Sequence, residues 1–365
     1  MINSLYIHIP FCDCICSYCD FPKILSSTKF QDKYLKTLID EIDSFNIEDN
    51  SLKTIYIGGG TPSSLNIEQL DYLLSYLHRR FQNVEEFSFE ANPESLTEDK
   101  IVILKKYGVN RVSLGVQSID DSLLKLMNRR HNKFDVMQCI TNLRKHGIDN
   151  FNLDFIYGIN EREESFIDAD IDFAINSKST HLSFYSLQVE EGTLLYNKGF
   201  CSLDDDKMAT LYEKINSRLE QAGYYRYEVS NFAKPGFESK HNLTYWHDEE
   251  YYAAGLGASS YVGNKRHTNT KSMTEYLKNN SKAEDITITE GDEEFEFLML
   301  NLRLVSGFSL QVFNERFKKD FLTSYKDNIE KVKDYVEVYD GFFRIKKEYI
   351  YTMDSILLEL LKLPE

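Results

Sequence analysis

The strongest constraint on the fold is a regular alternation of short apolar runs with helical stretches over the first two-thirds of the chain. The runs typical of strands are Leu5–Ile9, Thr54–Ile57, Glu86–Glu90, Arg111–Val116, Phe151–Tyr157 and His181–Leu187. The stretches with helical spacing are Phe30–Phe45, Ile67–Phe81, Thr97–Tyr107, Asp120–Met127, Lys133–His146, Ser165–Asn176 and Asp204–Ala222. Because each unit takes roughly the 30 residues of a βαβ repeat, we expect six βα units in a parallel sheet curled toward a barrel, with right-handed crossovers.

The last part of the chain predicts a small α+β appendage, of winged-helix type. The polar run Asn279–Asp285, which follows a glycine-punctuated segment at Gly255–Gly263, has the composition of a linker. Beyond it the predicted elements are the helices Glu290–Leu304, Leu310–Phe317 and Met353–Leu361 and the strand Phe342–Ile345. We therefore expect a core over residues 1–230, a connecting segment over 231–280 and a C-terminal domain over 281–365.

The formal net charge of −16 limits the classes of partner. A chain this acidic repels phosphate backbones, so we expect no nucleic-acid partner, and the acidity of the appendage argues against DNA binding. No apolar run approaches the roughly 18 residues that a membrane span requires. The first residues lack the basic and apolar regions of a signal peptide, so we expect a cytosolic protein whose six cysteines are thiols or metal ligands.

Four of those cysteines lie within eight residues, directly after the first predicted strand. Cys12, Cys16 and Cys19 have the spacing C-x3-C-x2-C, and Cys14 lies between the first two. Three thiolates at this spacing can occupy three corners of a cubane iron–sulfur cluster and leave the fourth iron open. The alternative is a four-thiolate zinc site, although such sites usually use two cysteine pairs separated by a longer loop.

Polar or glycine residues follow five of the six predicted strands. They are the cysteine loop, the run Gly58–Gly60, Glu90, Gln117 and Asp154. Such residues also occur in ordinary turns, but the carboxyl edge of parallel strands is where the sites of βα barrels lie. We therefore expect one shared pocket at this edge.

Two local patterns have two interpretations each. The run Gly58–Thr61 suits either a tight turn or a ligand cradle, and neither a Walker lysine nor G-x-G-x-x-G accompanies it. The basic patch Asn128–His131 suits either a solvated helix end or a site that holds one small anion.

Four motifs together resemble the radical S-adenosylmethionine (SAM) superfamily, in the branch of the oxygen-independent coproporphyrinogen III oxidases and the related heme chaperones. The motifs are His8–Cys12, the cysteine spacing, Gly58–Pro62 and Leu114–Gln117. The resemblance extends from Tyr6 into the appendage, and it implies a partial (β/α)6 TIM-type barrel.

The resemblance also implies the roles of individual residues. Cys12, Cys16 and Cys19 would hold a [4Fe-4S] cluster, whose open iron SAM chelates through its amino and carboxylate groups. The residues that would contact SAM are Tyr6 and Tyr18 beside the cofactor, Gly59, Gly60 and Thr61 at its methionine end, Glu90, Gln117 and Arg129 along it, Asp154 at the ribose hydroxyls, and Gln188 after the sixth strand.

Three departures favour the heme-chaperone branch over the oxidases. Oxidases carry a further cysteine two positions after the third ligand, where this chain has Phe21. They also have an N-terminal extension, whereas here the first strand begins within a few residues of Met1. The third departure is His241–Trp246, which resembles the H-N-x-x-Y-W signature of the chaperones.

Heme suits this motif on chemical grounds. Imidazole is a common ligand of heme iron and aromatic rings pack on porphyrin faces, so His241 and Trp246 are the candidate heme-binding residues. The plain alternative is that they are core residues. The family's pattern G-x-G-A-H-S has Ser259 in place of its histidine here, which removes any ligand role at that position.

The sequence thus predicts a protein that binds a [4Fe-4S] cluster, SAM and heme, and that hands heme to an acceptor protein. One alternative is the oxidative decarboxylation of coproporphyrinogen III in porphyrin biosynthesis. Another is a zinc-stabilised binding module without redox chemistry.

Overall fold

All six predicted strands form, and helices separate them along the chain. A computed structural model of the protein describes residues 2–25, 28–159 and 163–361. The elements through residue 186 are β1 (Ser4–Ile9), β2 (Phe11–Cys12), β3 (Ile24–Leu25), α1 (Thr28–Ser44), β4 (Thr54–Gly59), α2 (Ile67–Arg80), β5 (Glu86–Ala91), α3 (Glu98–Lys106), β6 (Arg111–Gln117), α4 (Asp121–Leu126), α5 (Lys133–Lys145), β7 (Asn150–Tyr157), α6 (Glu163–Ser177) and β8 (His181–Ser186).

Short strands and helices follow the sixth long strand. The elements of the connecting region are α7 (Leu194–Asn197), α8 (Asp205–Gln221), β9 (Tyr225–Arg226), β10 (Asn231–Ala233), α9 (Lys240–Trp246), β11 (Tyr252–Ala254), β12 (Ser259–Val262), β13 (Lys265–Asn269), α10 (Met273–Tyr276) and β14 (Lys282–Thr287). Those of the appendage are α11 (Glu290–Asn301), β15 (Phe308–Ser309), α12 (Leu310–Phe317), α13 (Phe321–Ser324), α14 (Lys326–Val332), β16 (Val336–Tyr339), β17 (Phe342–Ile345) and α15 (Met353–Leu360).

The main sheet has nine strands in the order β11-β1-β4-β5-β6-β7-β8-β10-β9. The six predicted strands are parallel neighbours, as expected, and β11 pairs with β1 in parallel as a seventh. The hairpin β9–β10 continues the other edge in antiparallel fashion. The edge strands β11 and β9 do not pair with each other, so the sheet is a partial barrel rather than a closed one. All carboxyl ends of the parallel strands lie at one edge.

Local sequence explains where several helices begin. Asn66 and Asn132 each form a capping box, with Gln69 and with Asp135 respectively. The side chain of Thr97 accepts a hydrogen bond from the Lys100 amide, which confirms the helix start predicted there.

The strands bury one set of side chains against the helices and turn the other inward. In β1, Leu5, Ile7 and Ile9 are fully buried in the core that they share with the helices. The alternate positions Tyr6 and His8 face the barrel interior, where their side chains are joined by a hydrogen bond of 3.0 Å. The interior of the barrel is consequently polar.

Helix α9 covers the amino ends of the parallel strands. Thr54, the first residue of β4, is 2.8 Å from the His241 ring, and Ser4, the first residue of β1, is 3.0 Å from the Thr244 hydroxyl. Glu86, the first residue of β5, accepts hydrogen bonds from the amides of Lys240 and His241. The H-N-x-x-Y-W segment therefore lies at the end of the barrel opposite to the carboxyl edge.

The expected linker at Asn279–Asp285 is wrong in its second half, because β14 begins at Lys282 and pairs antiparallel with β13. All six residues of β14 are exposed. A strand that is solvated on both faces needs no apolar residue, so its composition is the same as that of a loop. The backbone of β13 supplies the hydrogen-bond partners.

The appendage is α+β, as predicted, with the three-stranded sheet β15-β17-β16 beside its helices. Its core is aromatic: Phe308 contacts Phe313, Phe321 and Phe343 with ring centroids 4.9 to 5.8 Å apart. The three domain boundaries stay predictions. Within the described ranges, no helix combines the length and the apolar character needed to cross a membrane.

Candidate functional site

A cavity of about 520 Å³ opens at the carboxyl edge of the parallel strands, and we call it the barrel cavity. Twelve of the predicted site residues line it: Cys12, Cys16, Tyr18, Cys19, Gly59, Gly60, Thr61, Glu90, Gln117, Arg129, Asp154 and Gln188. They come from the cysteine loop, from β4, β5, β6, β7 and the residues that follow β4 and β8, and, for Arg129, from the segment between α4 and α5. The structure thus gathers residues up to 176 positions apart, from Cys12 to Gln188, into one pocket.

The cysteine loop is fixed between β2 and the end of α4. The amide of Ser17 donates to the carbonyl of Met127 at 3.0 Å, and the Thr61 hydroxyl donates to the Cys12 sulfur at 3.5 Å. Burial raises the pKa of the Cys12 thiol to about 11 and also raises that of Cys19. A thiol must lose its proton to bind a metal, so a bound cation would lower these pKa values again.

All six cysteines are free thiols. In the part of the chain that the structure describes, no three His, Cys, Asp or Glu side chains converge as the ligands of one metal ion would. Cys12, Cys16 and Cys19 instead lie around the mouth of the barrel cavity.

Because Gly58–Gly60 has no side chains, the Glu90 carboxylate, the His8 ring and the backbone before the cysteine loop can all approach the end of β4 closely. A Cβ atom on Gly58 would lie 2.8 Å from the Glu90 carboxylate, and one on Gly59 would lie 2.4 Å from the His8 ring. A Cβ on Gly60 would meet the backbone that leads into the cysteine loop at 2.9 Å. Gly59 has φ of +113°, which glycine adopts without strain, and its amide donates to Glu90 at 3.0 Å. The run therefore positions both the cysteine loop and Glu90.

Arg129 presents a buried guanidinium to the barrel cavity. Its side chain is 3% exposed, and its Nη2 donates to Asn92 Oδ1 at 2.8 Å and to the Gly115 carbonyl at 2.7 Å. Its Nη1 lies 3.4 Å from the Cys16 sulfur, and its Nε has no partner among the described residues. Of the two interpretations of the basic patch, this geometry favours the anion site, because a buried donor without a partner suits an anionic ligand.

Two partly buried carboxylates face each other across the interior. Glu90 accepts from the Tyr56 hydroxyl at 2.7 Å, and Asp154 accepts from Ser113 at 2.8 Å. Burial raises the pKa of both groups, although these hydrogen bonds oppose the rise. A carboxylate oxygen can accept more than one hydrogen bond, and both side chains line the barrel cavity.

Gln117 ends β6 in the left-handed region, with φ of +65°. The pairing of β6 with β7 shifts register between Gly115 and Gln117. A non-glycine residue in this conformation is uncommon and concentrates at functional sites. The distortion turns the Gln117 side chain into the barrel cavity.

Several cavity-lining residues were absent from the sequence prediction. They are Asn92, Arg111, Ser113, Asn152, Ser183 and Tyr185. For the five of these residues that lie on β6, β7 and β8, the signal was a polar residue at every second position, the period that points side chains to one face of a strand. Arg111 is 2% exposed and starts β6, where a charged residue looks like a simple strand boundary.

Three predicted residues do not line the barrel cavity. The Tyr6 ring stacks on the Tyr56 ring with centroids 6.1 Å apart, and Tyr56 is the residue that lines the cavity. His241 is fully buried, with its ring nitrogens 2.8 Å from Thr54 Oγ1 and 2.7 Å from the Tyr245 hydroxyl. Trp246 is partly buried, and its Nε1 has no partner among the described residues.

Comparison with known proteins identifies the family. The sequence profile of the radical SAM superfamily matches residues 6–174, and that of the HemN C-terminal domain matches residues 288–346. The heme chaperone HemW of Lactococcus lactis is 39% identical over 352 residues, which cover 94% of this chain and 92% of that protein. HemW of Bacillus subtilis is 38% identical over 90% of this chain and 92% of that protein, and HemW of Escherichia coli is 33% identical over 83% of each.

Among solved structures, coproporphyrinogen III oxidase (HemN) from Escherichia coli, described as a radical SAM enzyme, matches with a TM-score of 0.86. The match covers 98% of this chain and 90% of that chain, at 20% identity, and it therefore shows the fold alone. The similarity to the HemW proteins extends over nearly the full length of both chains. This chain belongs to the HemW/HemN-like family of the radical SAM superfamily.

Proposed function

We propose that this protein is a heme chaperone that binds a [4Fe-4S] cluster and SAM, binds heme, and transfers heme to an acceptor protein. The observation that carries the cofactor part is the barrel cavity, where three cysteines, the glycine run and two carboxylates meet. The heme part is supported by the relatives, since the proteins with 33 to 39% identity are named heme chaperones. The acceptor and the cytosolic location stay predictions.

The residues present fit the two implied cofactors. Cys12, Cys16 and Cys19 are soft donors at the cavity mouth, which suit iron–sulfur chemistry. The unpartnered Nε of Arg129 suits the carboxylate of SAM, and Asp154 suits its ribose hydroxyls. When bound, the reduced cluster would supply one electron to the SAM sulfonium.

The chain's own contribution is to position the polar groups that would contact the cofactors and to surround the cofactors. Asn92 holds Arg129 in place at 2.8 Å, and Tyr56 and Gly59 hold Glu90. Partial negative charge from Glu90 and Asp154 suits the cationic sulfonium. The β-strands and the cysteine loop surround these groups, so they would screen a bound ligand from bulk water.

The choice between chaperone and oxidase rests on the mouth of the cavity and on the H-N-x-x-Y-W segment. Phe21 lines the mouth and is 62% exposed, at the position where the oxidases have a cysteine. The heme role of His241 and Trp246 stays a prediction. The alternative function is the oxidative decarboxylation of coproporphyrinogen III, and the fold that this chain shares with HemN is compatible with either function.

The test is one anaerobically reconstituted sample used for three measurements. We expect about four iron and four sulfide ions per chain, a Soret band on addition of hemin, and no protoporphyrinogen from coproporphyrinogen III. Formation of protoporphyrinogen would establish the oxidase instead. Zinc in place of iron would establish the binding module.

Cysteine variants make the cluster assignment specific. Cys16→Ser should lose the cluster, because an alcohol replaces a thiolate ligand. Cys201→Ser is the matched control, since Cys201 is exposed and does not line the barrel cavity, and the iron and sulfide content of this variant should equal that of the unmodified protein. Equal iron in both variants would contradict the assignment.

A further inference from the structure

The connecting region and the appendage enclose a second cavity, of about 430 Å³, at the outer end of α9. We call it the α9 groove. Its apolar walls are formed by Tyr225, Tyr227, Leu243, Leu304 and Val305. Its volume lies within the range of small-molecule sites, and its position is distinct from that of the barrel cavity.

His247, which follows the last residue of α9, lines this groove and is exposed. Its Nδ1 is 3.4 Å from the side-chain oxygen of Asn301. Among the described residues, none forms a hydrogen bond or an ion pair with its Nε2. His247 thus differs from His241, whose two ring nitrogens both form hydrogen bonds within the protein.

The tautomer of His247 follows from its neighbour. Asn301 is 3% exposed, and its Nδ2 donates to the Phe297 carbonyl at 2.9 Å, so its amide oxygen must face His247. That oxygen can only accept, and Nδ1 of His247 must therefore carry the proton. The lone pair is then on Nε2. A metal-binding histidine is typically oriented in this way, with its other N–H given to a carbonyl oxygen.

The charges of the groove suit a ligand with an acidic edge. Arg344 is paired with Glu337 at 2.8 Å, whereas the Lys347 ammonium has no ion-pair partner among the described residues. Glu220 and Glu238 also line the groove, so the positive charge is local rather than general. Lys347 is the group available to a propionate.

We propose that the α9 groove binds heme, with His247 Nε2 as a ligand of the iron and Asn301 as the residue that orients it. This inference rests on the proposed heme-binding function and names its site. Binding forms one Fe–N bond, displaces a water or chloride from hemin and changes no oxidation state. The apolar walls cover the macrocycle, and the Lys347 ammonium pairs with a propionate.

The first test titrates hemin into the full-length, cluster-loaded protein without an affinity tag. Affinity is measured from Soret difference spectra, and the iron ligand from resonance Raman spectroscopy. We expect a histidine-ligated spectrum for the unmodified protein. His247→Gly should lose that signature and weaken binding at least tenfold, and added imidazole should restore the signature. His78→Ala, at another exposed histidine, should leave both unchanged.

The second test addresses orientation. Asn301→Leu removes the acceptor for Nδ1 and should weaken hemin binding about tenfold, with unchanged binding of metal-free protoporphyrin. Equal losses for hemin and for metal-free protoporphyrin would show that Asn301 has a merely structural role, and would overturn its proposed role in orienting His247.

Two outcomes separate the failure of this site from the failure of the function. If the unmodified protein binds hemin with histidine ligation, and His247→Gly binds it identically, the site is overturned and the heme chaperone stands. If the unmodified protein binds no hemin, the proposed function fails, and the site fails with it.

Discussion

His241 belongs to a chain of hydrogen bonds that fixes its protonation. The Thr54 hydroxyl donates to Ser4 at 2.9 Å, so toward His241 it can only accept, and His241 Nδ1 donates to it. His241 Nε2 must then accept from the Tyr245 hydroxyl at 2.7 Å. Burial, helped by the charge of Arg111, lowers the pKa of His241 to about 3. The neutral imidazole is therefore part of the folded structure.

The protonation of His241 predicts a dependence of stability on pH. Between pH 6.5 and about 3 the unfolded chain binds a proton at His241 and the folded chain does not, so stability falls as pH falls below 6.5. This residue should contribute up to about 1.4 kcal/mol per pH unit. This contribution is measured by chemical denaturation at pH 7.5 and at pH 5. The unmodified protein and His241→Gln are compared in the same cluster state.

We expect the gap in free energy of unfolding between these two proteins to narrow at pH 5. His78→Gln, on an exposed position, is the control, and its gap should not change. A constant gap for His241→Gln would show that the residue titrates normally.

At the scale of elements, α9 is a short helix whose start depends on a strand far away in the sequence. The Glu86 carboxylate accepts from the Ser239 hydroxyl at 3.3 Å, from the Lys240 amide at 2.8 Å and from the His241 amide at 3.1 Å. The first amides of a helix lack partners within it, and a negative charge there also stabilises the helix dipole. Glu86 therefore fixes the position of α9 on the barrel.

Glu86→Ala should lower the free energy of unfolding by about 1–3 kcal/mol, because it leaves buried donors without an acceptor. The neighbouring Glu85 is the control: its side chain is 47% exposed, and it meets Lys240 through a surface ion pair. Glu85→Ala should cost less than about 1 kcal/mol. Urea denaturation measures both, and equal losses would contradict the role given to Glu86.

At the scale of the whole molecule, Asp248 joins the connecting region to the appendage. Its side chain is fully buried and contacts Arg266 of β13 at 3.1 Å and Arg316 of α12 at 2.8 Å. Both arginines also pair with glutamates of α11, Glu296 and Glu293. This network lies directly after His247 and holds the appendage against α9.

Asp248→Ala should lower the free energy of unfolding by about 2–3 kcal/mol, since the change leaves two partly buried arginines short of an acceptor. The control is Asp285→Ala, which removes an exposed ion pair with His267 and should cost less than about 1 kcal/mol. Thermal unfolding measures both variants. A similar small effect in both would show that the network does not hold the appendage.

The sequence by itself determined the parallel sheet and most of the barrel cavity. Strand and helix periods are local, and parallel connection brings all carboxyl ends to one edge, so Glu90, Gln117 and Asp154 had to lie near the cysteine loop. Only the tertiary structure decided where α9 lies, that β11 and β14 pair as strands, and that Arg111 faces the cavity. These depend on contacts between segments far apart, such as the 155 positions between Glu86 and His241, which no local pattern encodes.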